Sequence, residues 1–376
     1  MLDIGTIHGL SKGAQFTIYN DQNSFRSGLP LGVLEIAEDG DIKGHSTILS
    51  PLPGSPDIYA SQGIAVQTRA GERADLYIYL KSNSAETTDH VFDILLEQIH
   101  ILLEQIQAAE PNRYRIVSTK DKASAQLAFE VEEESGMVVT EITDARVTTY
   151  QLTKISHSPI KLEQMHSLLR SAAHFYRHLA PVPTNIYIPS KITFEFMEVE
   201  YAEELDEDGN SLMRAVGPNL IKNDIIDIVV DRKKMYGMRV TNNTRWDLYP
   251  YAFLFSTRTL CISKSLLLQS TLTHLTISGP YYMSPYGGKH HVDPPLPQGG
   301  TLTIGFGASG GVPYEFTLED NQEIDVEFFK FFFSTQPTDM SNIEQGSPFT
   351  PSRIQRKPTR VTTYGVKVIP VVQRHS

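Results

Sequence analysis

From Ile192 to Phe333 the chain is a succession of strand-length segments rich in β-branched and aromatic residues, which favours a β-rich fold. In several segments apolar and polar residues alternate, as expected for strands with one face on a core. We predict one antiparallel β-sandwich over residues 184–340, with NNTRWD as a hairpin link. Its predicted strands are KITFEFMEVE, DIIDIVVD, MYGMRVT, LYPYAFLF, TLTIGFG, PYEFTLE and EIDVEFFKFFF.

The alternation also predicts the core of this sandwich, because residues two apart in a strand lie on the same face. The expected core side chains are large and apolar, and every predicted strand contributes at least one. They are Phe194, Phe196, Ile228, Val230, Tyr236, Val240, Phe253, Phe255, Ile304, Phe316, Val326 and Phe328.

The first 82 residues contain strand-length segments separated by turn-forming stretches such as SGLP, EDGD and SPLPGSP. In the first of these strands, Phe16 and Ile18 share a face with Ala14. We predict a small β-barrel-like domain over residues 1–82. Its predicted strands are QFTIY, LGVLEI, HSTIL, GIAVQTR and DLYIYL.

In residues 83–183 the hydrophobic period changes, and apolar residues recur every three or four positions, as on one face of a helix. A second helix is expected to begin at Ser158-Pro159, an N-cap followed by a first-turn proline, and to stop at Pro181. Strands at RYRIVST, MVVTEIT and VTTYQLT complete an α+β domain over residues 83–183, and the whole chain is assigned to the α+β class. The first helix has its stripe at Phe92, Leu95, Ile99, Leu102, Leu103 and Ile106.

Residues 341–376 are rich in Pro, Ser and Thr and carry six Lys or Arg against the single acid Glu344. This composition predicts a basic flexible tail. One alternative stays open, in which Val366 to Ile369 pair along a sheet edge while the stretch before Val361 remains solvated.

The net charge of −11 argues against partners that need a basic surface, so neither nucleic acid nor an anionic membrane is expected. The longest apolar runs fall far short of the ~20 residues of a membrane helix. Cys261 is the only cysteine and no apolar leader precedes Gly5, so we expect a reducing, cytoplasmic location.

Two motifs resemble ligand loops, but their context argues against both. A Gly-rich motif has dinucleotide-loop spacing, yet the strand-like PYEFTLE follows where a phosphate site needs a helix, so a hairpin turn is predicted. Its glycines are Gly305, Gly307 and Gly310. A second motif has calcium-loop spacing but lacks the glutamate at the twelfth position, so a solvated turn is predicted. Its residues are Asp206, Asp208 and Asn210.

Histidines occur in two places where a metal site is conceivable. His290 and His291 precede Asp293, but adjacent strand residues point to opposite faces, so a polar loop is predicted. Near the second helix, His174 and His178 are four apart and could chelate, but no carboxylate or thiolate accompanies them, so a partly exposed helix face is predicted. The histidines of this group are His157, His166, His174 and His178.

No reaction centre emerges from the residues. Cys261 lies in TLCISK without the Gly-rich surroundings of an activated thiol, so a buried structural cysteine is expected. Acidic pairs such as Glu203 and Glu204 are numerous, but sequence alone cannot place two of them across a sugar bond. No catalytic, cofactor-binding or metal-binding residue is therefore assigned.

Six segments of the chain carry a family resemblance. They are GTIHGLSKGAQFTIY, LLRSAAHFYRHL, VGPNLIKNDIIDIVVDRKKMYGMRVTNNT, LYPYAFLF, VDPPLPQGGTLTIGFGASGGVPYEFTLEDNQEIDVEFFKFFFSTQPTDM and SPF. Together they resemble the C-terminal, non-peptidase region of caspase-domain, metacaspase-like proteins of mushroom-type (basidiomycete) fungi, and the resemblance covers nearly the whole chain. In that family a caspase-like peptidase domain comes first, and a region beginning at a GxxHG turn follows it.

The resemblance implies that the family's catalytic His and Cys belong to the upstream domain, and Cys261 does not match the nucleophile motif. It also implies a protein partner, or a peptidase domain in cis if Met1 is not the true start. One segment departs from the family pattern by its greater length, namely STRTLCISKSLLLQSTLTHLTIS, and is interpreted as a translated intron or a genuine hairpin insertion.

Three functions are retained as hypotheses. The leading one is a non-catalytic accessory or regulatory region that binds proteins through strand edges and loops. The alternatives are a hydrolase using carboxylates of the third region, and a carbohydrate- or ligand-binding protein using aromatic residues near turn glycines. Those aromatic residues are Trp246, Tyr281, Tyr282 and Tyr286.

Overall fold

The structure is a computed structural model, and its chain is mixed and strand-rich, which confirms the α+β class. Chain contacts divide it into two compact units, whereas the sequence predicts three domains and a tail. The first unit is Met1–Thr149, Thr153–Pro183 and Ser347–Pro351, and the second is Tyr150–Leu152, Thr184–Gly346 and Ser352–Ser376. The structure describes residues 10–37, 40, 42, 47–52, 58, 62–69, 76–81, 97, 99–105, 115–132, 135, 137–156, 158–180, 187–205, 211–264, 296–307, 313–319, 322–335, 340, 343–349 and 364–375.

An antiparallel sheet of order β3-β2-β1-β4 opens the first unit. Phe16, Ile18 and Ala14 are buried together, as the alternation predicts. A short helix that the sequence did not predict, α1, follows β1, and Asp21 caps it by accepting a 2.8 Å hydrogen bond from the Ser24 amide. The elements are β1 (Gln15–Tyr19), α1 (Gln22–Arg26), β2 (Gly32–Glu35), β3 (Ser50–Pro51) and β4 (Ile64–Arg69).

A second, mixed sheet has the order β6-β5-β7-β8, in which β5 is parallel to both β6 and β7. Its strands are β5 (Leu76–Leu80), β6 (Ile116–Thr119), β7 (Leu127–Val131) and β8 (Val138–Ile142). The sequence places β5 in the barrel-like domain of residues 1–82, and that assignment is wrong. Leu76 and Ile78 are fully buried, and β5 finds its hydrogen-bond partners beyond the predicted boundary.

Three helices accompany this sheet: α2 (residues 97 and 99–105), α3 (Ala145–Thr148) and α4 (Met165–Leu179). The predicted strand VTTYQLT is wrong, because the Asp144 side chain accepts from the Arg146 amide and caps α3 there. The predicted start of α4 at Ser158 is also wrong. Ser158 Oγ accepts a 2.9 Å hydrogen bond from the Thr140 amide instead, and α4 begins at Met165. In the α2 stripe Ile99 is buried, and Phe92, Leu95 and Ile106 lie outside the described residues.

The second unit contains a four-stranded antiparallel sheet, β10-β9-β13-β16, and a six-stranded sheet, β11-β12-β18-β17-β14-β15. The first sheet has β9 (Ile192–Leu205), β10 (Ser211–Val216), β13 (Met235–Asn242) and β16 (Thr301–Ile304), preceded by helix α5 (Tyr187–Ser190). The second has β11 (Ile221–Lys222), β12 (Ile225–Val229), β14 (Tyr249–Ser256), β15 (Cys261–Lys264), β17 (Ile324–Ser334) and β18 (Tyr364–Arg374).

One apolar cluster draws side chains from both of these sheets, among them Phe196 of β9, Met238 of β13 and Phe329 of β17. Of the predicted core residues only Val230 is partly exposed. The prediction of a single core face is nevertheless wrong. Phe253, Phe255, Val326 and Phe328 lie on the opposite face of the six-stranded sheet, because β14 and β17 bury both of their faces.

The C-terminal strand corrects the predicted tail. Residues 364–374 form β18 in the interior of the six-stranded sheet, where it pairs antiparallel with β17 and parallel with β12. Ile369, Val371 and Val372 are fully buried, so the alternating apolar pattern outweighs the basic composition. The parallel pairing of β12 with β18 also departs from the predicted all-antiparallel sandwich. The alternative of pairing at a sheet edge differs as well, because β18 lies between β12 and β17.

Other links differ from the prediction as well. NNTRWD joins β13 to β14, which belong to different sheets, so it is not a hairpin turn. PYEFTLE makes a single bridge, Tyr314 to Tyr236, in place of a strand. β10 and β15 were not predicted. Within the described residues, no helix has the length and apolar content needed to cross a membrane.

Candidate functional site

Two acidic side chains near the start of β17 form the most unusual chemical group of the second unit. Asp325 and Glu327 are two residues apart in a regular strand, so both lie on the face that buries Phe329. Across the sheet, Ser256 of β14 lies opposite Glu327, and Gln373 of β18 lies opposite Asp325. We call Asp325 and Glu327 the acid pair.

The surroundings of the acid pair favour its protonated form. Burial, reinforced by the neighbouring Asp325, raises the pKa of Glu327 to about 8, although hydrogen bonds from Ser256 and Gln373 oppose the shift. Gln373 Nε2 donates to Glu327 Oε2 at 3.0 Å. Burial also raises the pKa of Asp325, against hydrogen bonds from Gln322 and the Val326 amide. The pair therefore holds a proton at neutral pH.

Cys261 of β15 lies beside this group, opposite Ser256 of β14. Its thiol donates a hydrogen bond to the Gln345 carbonyl at 3.2 Å. Burial and, secondarily, the Glu327 carboxyl raise the pKa of Cys261, which disfavours the thiolate that a nucleophile needs. The side chain is partly exposed rather than buried as predicted.

Arg258 stands on the turn between β14 and β15, at the edge of the acid pair. Its Nε is buried and has no hydrogen-bond partner among the described residues, and a terminal nitrogen lies 3.8 Å from Glu319 Oε2. This turn opens the segment STRTLCISKSLLLQSTLTHLTIS, for which the sequence leaves a translated intron and a genuine hairpin insertion as interpretations. Its described part is integrated into the fold, since Leu260 and Ile262 are buried and Ile262 bridges Gln345. Residues 265–280 lie outside the described residues.

A second polar cluster lies in the first unit. The buried Asp144 carboxylate receives three hydrogen bonds from the Arg146 guanidinium, at 2.5, 3.0 and 3.1 Å. The Tyr176 hydroxyl is buried and has no hydrogen-bond partner in the described part of the chain. Burial, followed by the Asp144 charge, raises the pKa of Tyr176. This arrangement stabilises the turn at α3 and offers no accessible reactive group.

The histidines of α4 differ from the prediction. His174 and His178 are buried, with ring centroids 4.4 Å apart, whereas a partly exposed helix face was predicted. The helix therefore buries this face as well as its apolar stripe. Among the residues that the structure describes, no group of three or more His, Cys, Asp or Glu side chains could hold a metal ion. His157, His290, His291 and Asp293 lie outside them, as do Asp206, Asp208 and Asn210.

The remaining sequence candidates do not converge on a site. Gly305 and Gly307 adopt positive φ angles of 76° and 70°, as a turn requires, and Gly310 lies outside the described residues. Glu203 is exposed. Trp246 packs against the apolar cluster, with Arg245 Cζ 4.7 Å from its ring centre, so it is not a free platform for a sugar. Tyr281, Tyr282 and Tyr286 lie outside the described residues.

No protein-family model, curated protein or solved structure matches the chain.

The acid pair is a group that the sequence patterns above did not single out. Its signal was available, because Asp325 and Glu327 interrupt EIDVEFFKFFF on the face that Phe329, Phe331 and Phe333 continue as core. Two acids on the apolar face of a strand indicate either a partner for their charge or raised pKa values.

Proposed function

We propose that this chain is a non-catalytic accessory or regulatory region, of the kind that follows the peptidase domain in the fungal caspase-like proteins it resembles. The observation that carries the proposal is the state of Cys261, whose thiol is tied to the Gln345 carbonyl and has a raised pKa. A cysteine held in this way serves packing rather than nucleophilic attack.

The proposal includes three finer statements. The two sheets of the second unit form a β-sandwich around their shared apolar cluster, and the β3-β2-β1-β4 sheet is part of a small barrel. The partner is a protein, either a caspase-like peptidase domain in cis or a separate chain. The single cysteine supports a reducing, cytoplasmic location.

Exposed apolar residues after β1 supply a surface for such a partner. Leu29, Phe25 and Leu31 are 68%, 41% and 40% exposed within one turn region, and the Tyr19 ring lies 5.3 Å from that of Phe25. Several large apolar side chains exposed close together are characteristic of protein contact sites. We assign this surface to the caspase-like peptidase domain.

Calorimetric titration of the full chain with a caspase-like peptidase domain from a mushroom-type relative tests this function. We expect binding, a changed peptidase rate, and at least about tenfold weaker binding for Phe25→Ser/Leu29→Ser, because burying each side chain is worth roughly 1.5–3 kcal/mol. Val229→Ser, at another exposed apolar residue, is the matched control and should bind normally. Absence of both binding and a rate effect would contradict the proposal.

A second candidate is a carboxylate-based hydrolase, and the acid pair is the observation that favours it. A carboxyl group with a pKa of about 8 can act as a general acid at neutral pH while a neighbouring carboxylate stabilises charge. A panel of peptidase and glycosidase substrates decides between the two. Turnover that is abolished by Glu327→Gln or Asp325→Asn and retained in Glu323→Gln would replace the accessory function with this one.

A further inference from the structure

Residues 313–319, here called the covering segment, are held to the second unit almost entirely by side chains. Tyr314 exchanges two main-chain hydrogen bonds with Tyr236, at 2.8 and 2.9 Å. Residues 315–318 make no main-chain hydrogen bond within the described part of the chain. Phe316 and Leu318 are nevertheless buried, and Phe316 packs on the Tyr236 ring at 5.6 Å. A segment held mainly by side-chain packing can open separately from the sheets once that packing weakens.

The covering segment runs along the acid pair. At one end the Tyr314 ring lies 5.1 Å from that of Phe329, the next residue on the same face of β17 after Glu327. At the other end Gln322 Nε2 donates to the Ile324 carbonyl at 3.2 Å, and its side chain also hydrogen-bonds Asp325. The described residues between these two contacts, 315–319, therefore lead from Phe329 to the neighbourhood of Asp325, which the Glu319 charge reaches.

We propose that the covering segment is a proton-controlled flap, which stays closed while the acid pair holds its proton and opens when that proton leaves. Closed, the segment leaves both carboxyl groups only partly exposed to the water that two carboxylates would need. Open, it exposes the apolar side chains of Phe316 and Leu318 together with the acidic face of β17, so the second unit presents a new surface at higher pH. This inference is independent of the proposed function.

The groups facing the acid pair determine the direction of the effect. Glu319 on the covering segment adds negative charge, while Arg258, on the turn after β14, opposes it from a distance too long for a direct ion pair with Asp325. Cys261 on β15 is neutral, as are Ser256 on β14 and Gln373 on β18, and β12 contributes the apolar Ile226 and Ile228. Among the described residues, a second negative charge on the pair therefore has no cation within ion-pairing distance to balance it.

Because opening of the flap is linked to proton release, the pH dependence of the open fraction can be predicted. The pKa of Glu327 is about 8 when the flap is closed and falls toward its ordinary value when the flap opens, so opening releases a proton. The open fraction should rise by up to about tenfold per pH unit from near the ordinary carboxyl value upward. It should level off above a pH of about 8.

Limited proteolysis of the full chain by thermolysin tests the flap, with cleavage before Phe316 and Leu318 located by mass spectrometry. At each pH between about 5.5 and 9, the cleavage rate of the native chain is divided by that of Glu327→Gln. This ratio cancels the pH dependence of the protease itself. We expect this ratio to rise severalfold per unit and then level off. Asp325→Asn should move the plateau to lower pH, because it removes the charge that helps to raise the Glu327 pKa.

Glu323→Gln is the matched control, because Glu323 is an exposed carboxylate of the same region, outside the acid pair. It should show the profile of the native chain. A ratio that stays constant with pH would overturn the flap. So would pH-dependent cleavage that starts elsewhere in the second unit, because that pattern indicates global unfolding. If Glu327→Gln does not fold, Asp325→Asn provides the test instead. A plateau at the same pH as in the native chain would then overturn the flap.

Discussion

Gln373 and Glu327 are joined by a 3.0 Å hydrogen bond across 46 residues of sequence, from the side-chain amide of the last strand to the carboxyl of β17. The bond ties the end of β18 to the acid pair, and Gln373 itself is buried. A buried amide that lost this acceptor would be left unsatisfied, which costs roughly 1–3 kcal/mol. The C-terminal strand and the ionisation of Glu327 are therefore linked energetically.

The first prediction concerns the pH dependence of unfolding. Because the folded-state pKa of Glu327 is raised to about 8, the stability that its protonated form contributes is fully present below the ordinary carboxyl pKa and is lost as pH rises through about 8. Thermal melts from about pH 5 to pH 9 should thus show a falling Tm. In Glu327→Gln this part of the slope should disappear, whereas equal slopes in both proteins would contradict the assigned environment.

The second prediction tests whether the six-stranded sheet buries both faces. Phe253 is fully buried and Phe328 is 2% exposed, on the face opposite the shared apolar cluster. Replacing either with Ala should lower the free energy of unfolding by about 3–5 kcal/mol, the usual cost for a large buried aromatic. Tyr201→Ala, at a side chain 66% exposed, is the control in the same urea titration. Unchanged midpoints in both Phe variants would mean that this face is not a core.

Sequence patterns predicted the strands of this chain better than their partners. Local alternation finds β9, β13, β14 and β17, because each segment carries its own apolar face. It cannot show that β5 pairs with β7, or that β18 inserts between β12 and β17, because those choices are made by residues distant in sequence. The position of the acid pair on an apolar strand face could be read from the sequence, but its environment could not, because that comes from Ser256 and Gln373.

The third prediction concerns the C-terminal strand, whose basic composition first suggested a mobile tail. The β18 main chain is paired on one side along its whole length, and residues 371–374 are paired on both sides. Hydrogen exchange should show that the amides between Val366 and Val372 that pair with β17 are among the protected groups of the second unit, since paired strand amides exchange only through larger openings. Exchange at free-peptide rates would contradict the interior position of β18.

The last prediction concerns the Tyr176 hydroxyl, which is buried next to the Asp144 and Arg146 ion pair and finds no hydrogen-bond partner within the residues that the structure describes. An unsatisfied buried hydroxyl costs roughly 1–3 kcal/mol, and its removal leaves the ring in place. Tyr176→Phe should therefore leave the free energy of unfolding unchanged or raise it by about 1 kcal/mol. Tyr176→Ala removes the packed ring as well and should lose about 3–5 kcal/mol. Urea denaturation of the two variants separates hydroxyl from ring, and a loss above about 1 kcal/mol in Tyr176→Phe would show that the hydroxyl has a partner.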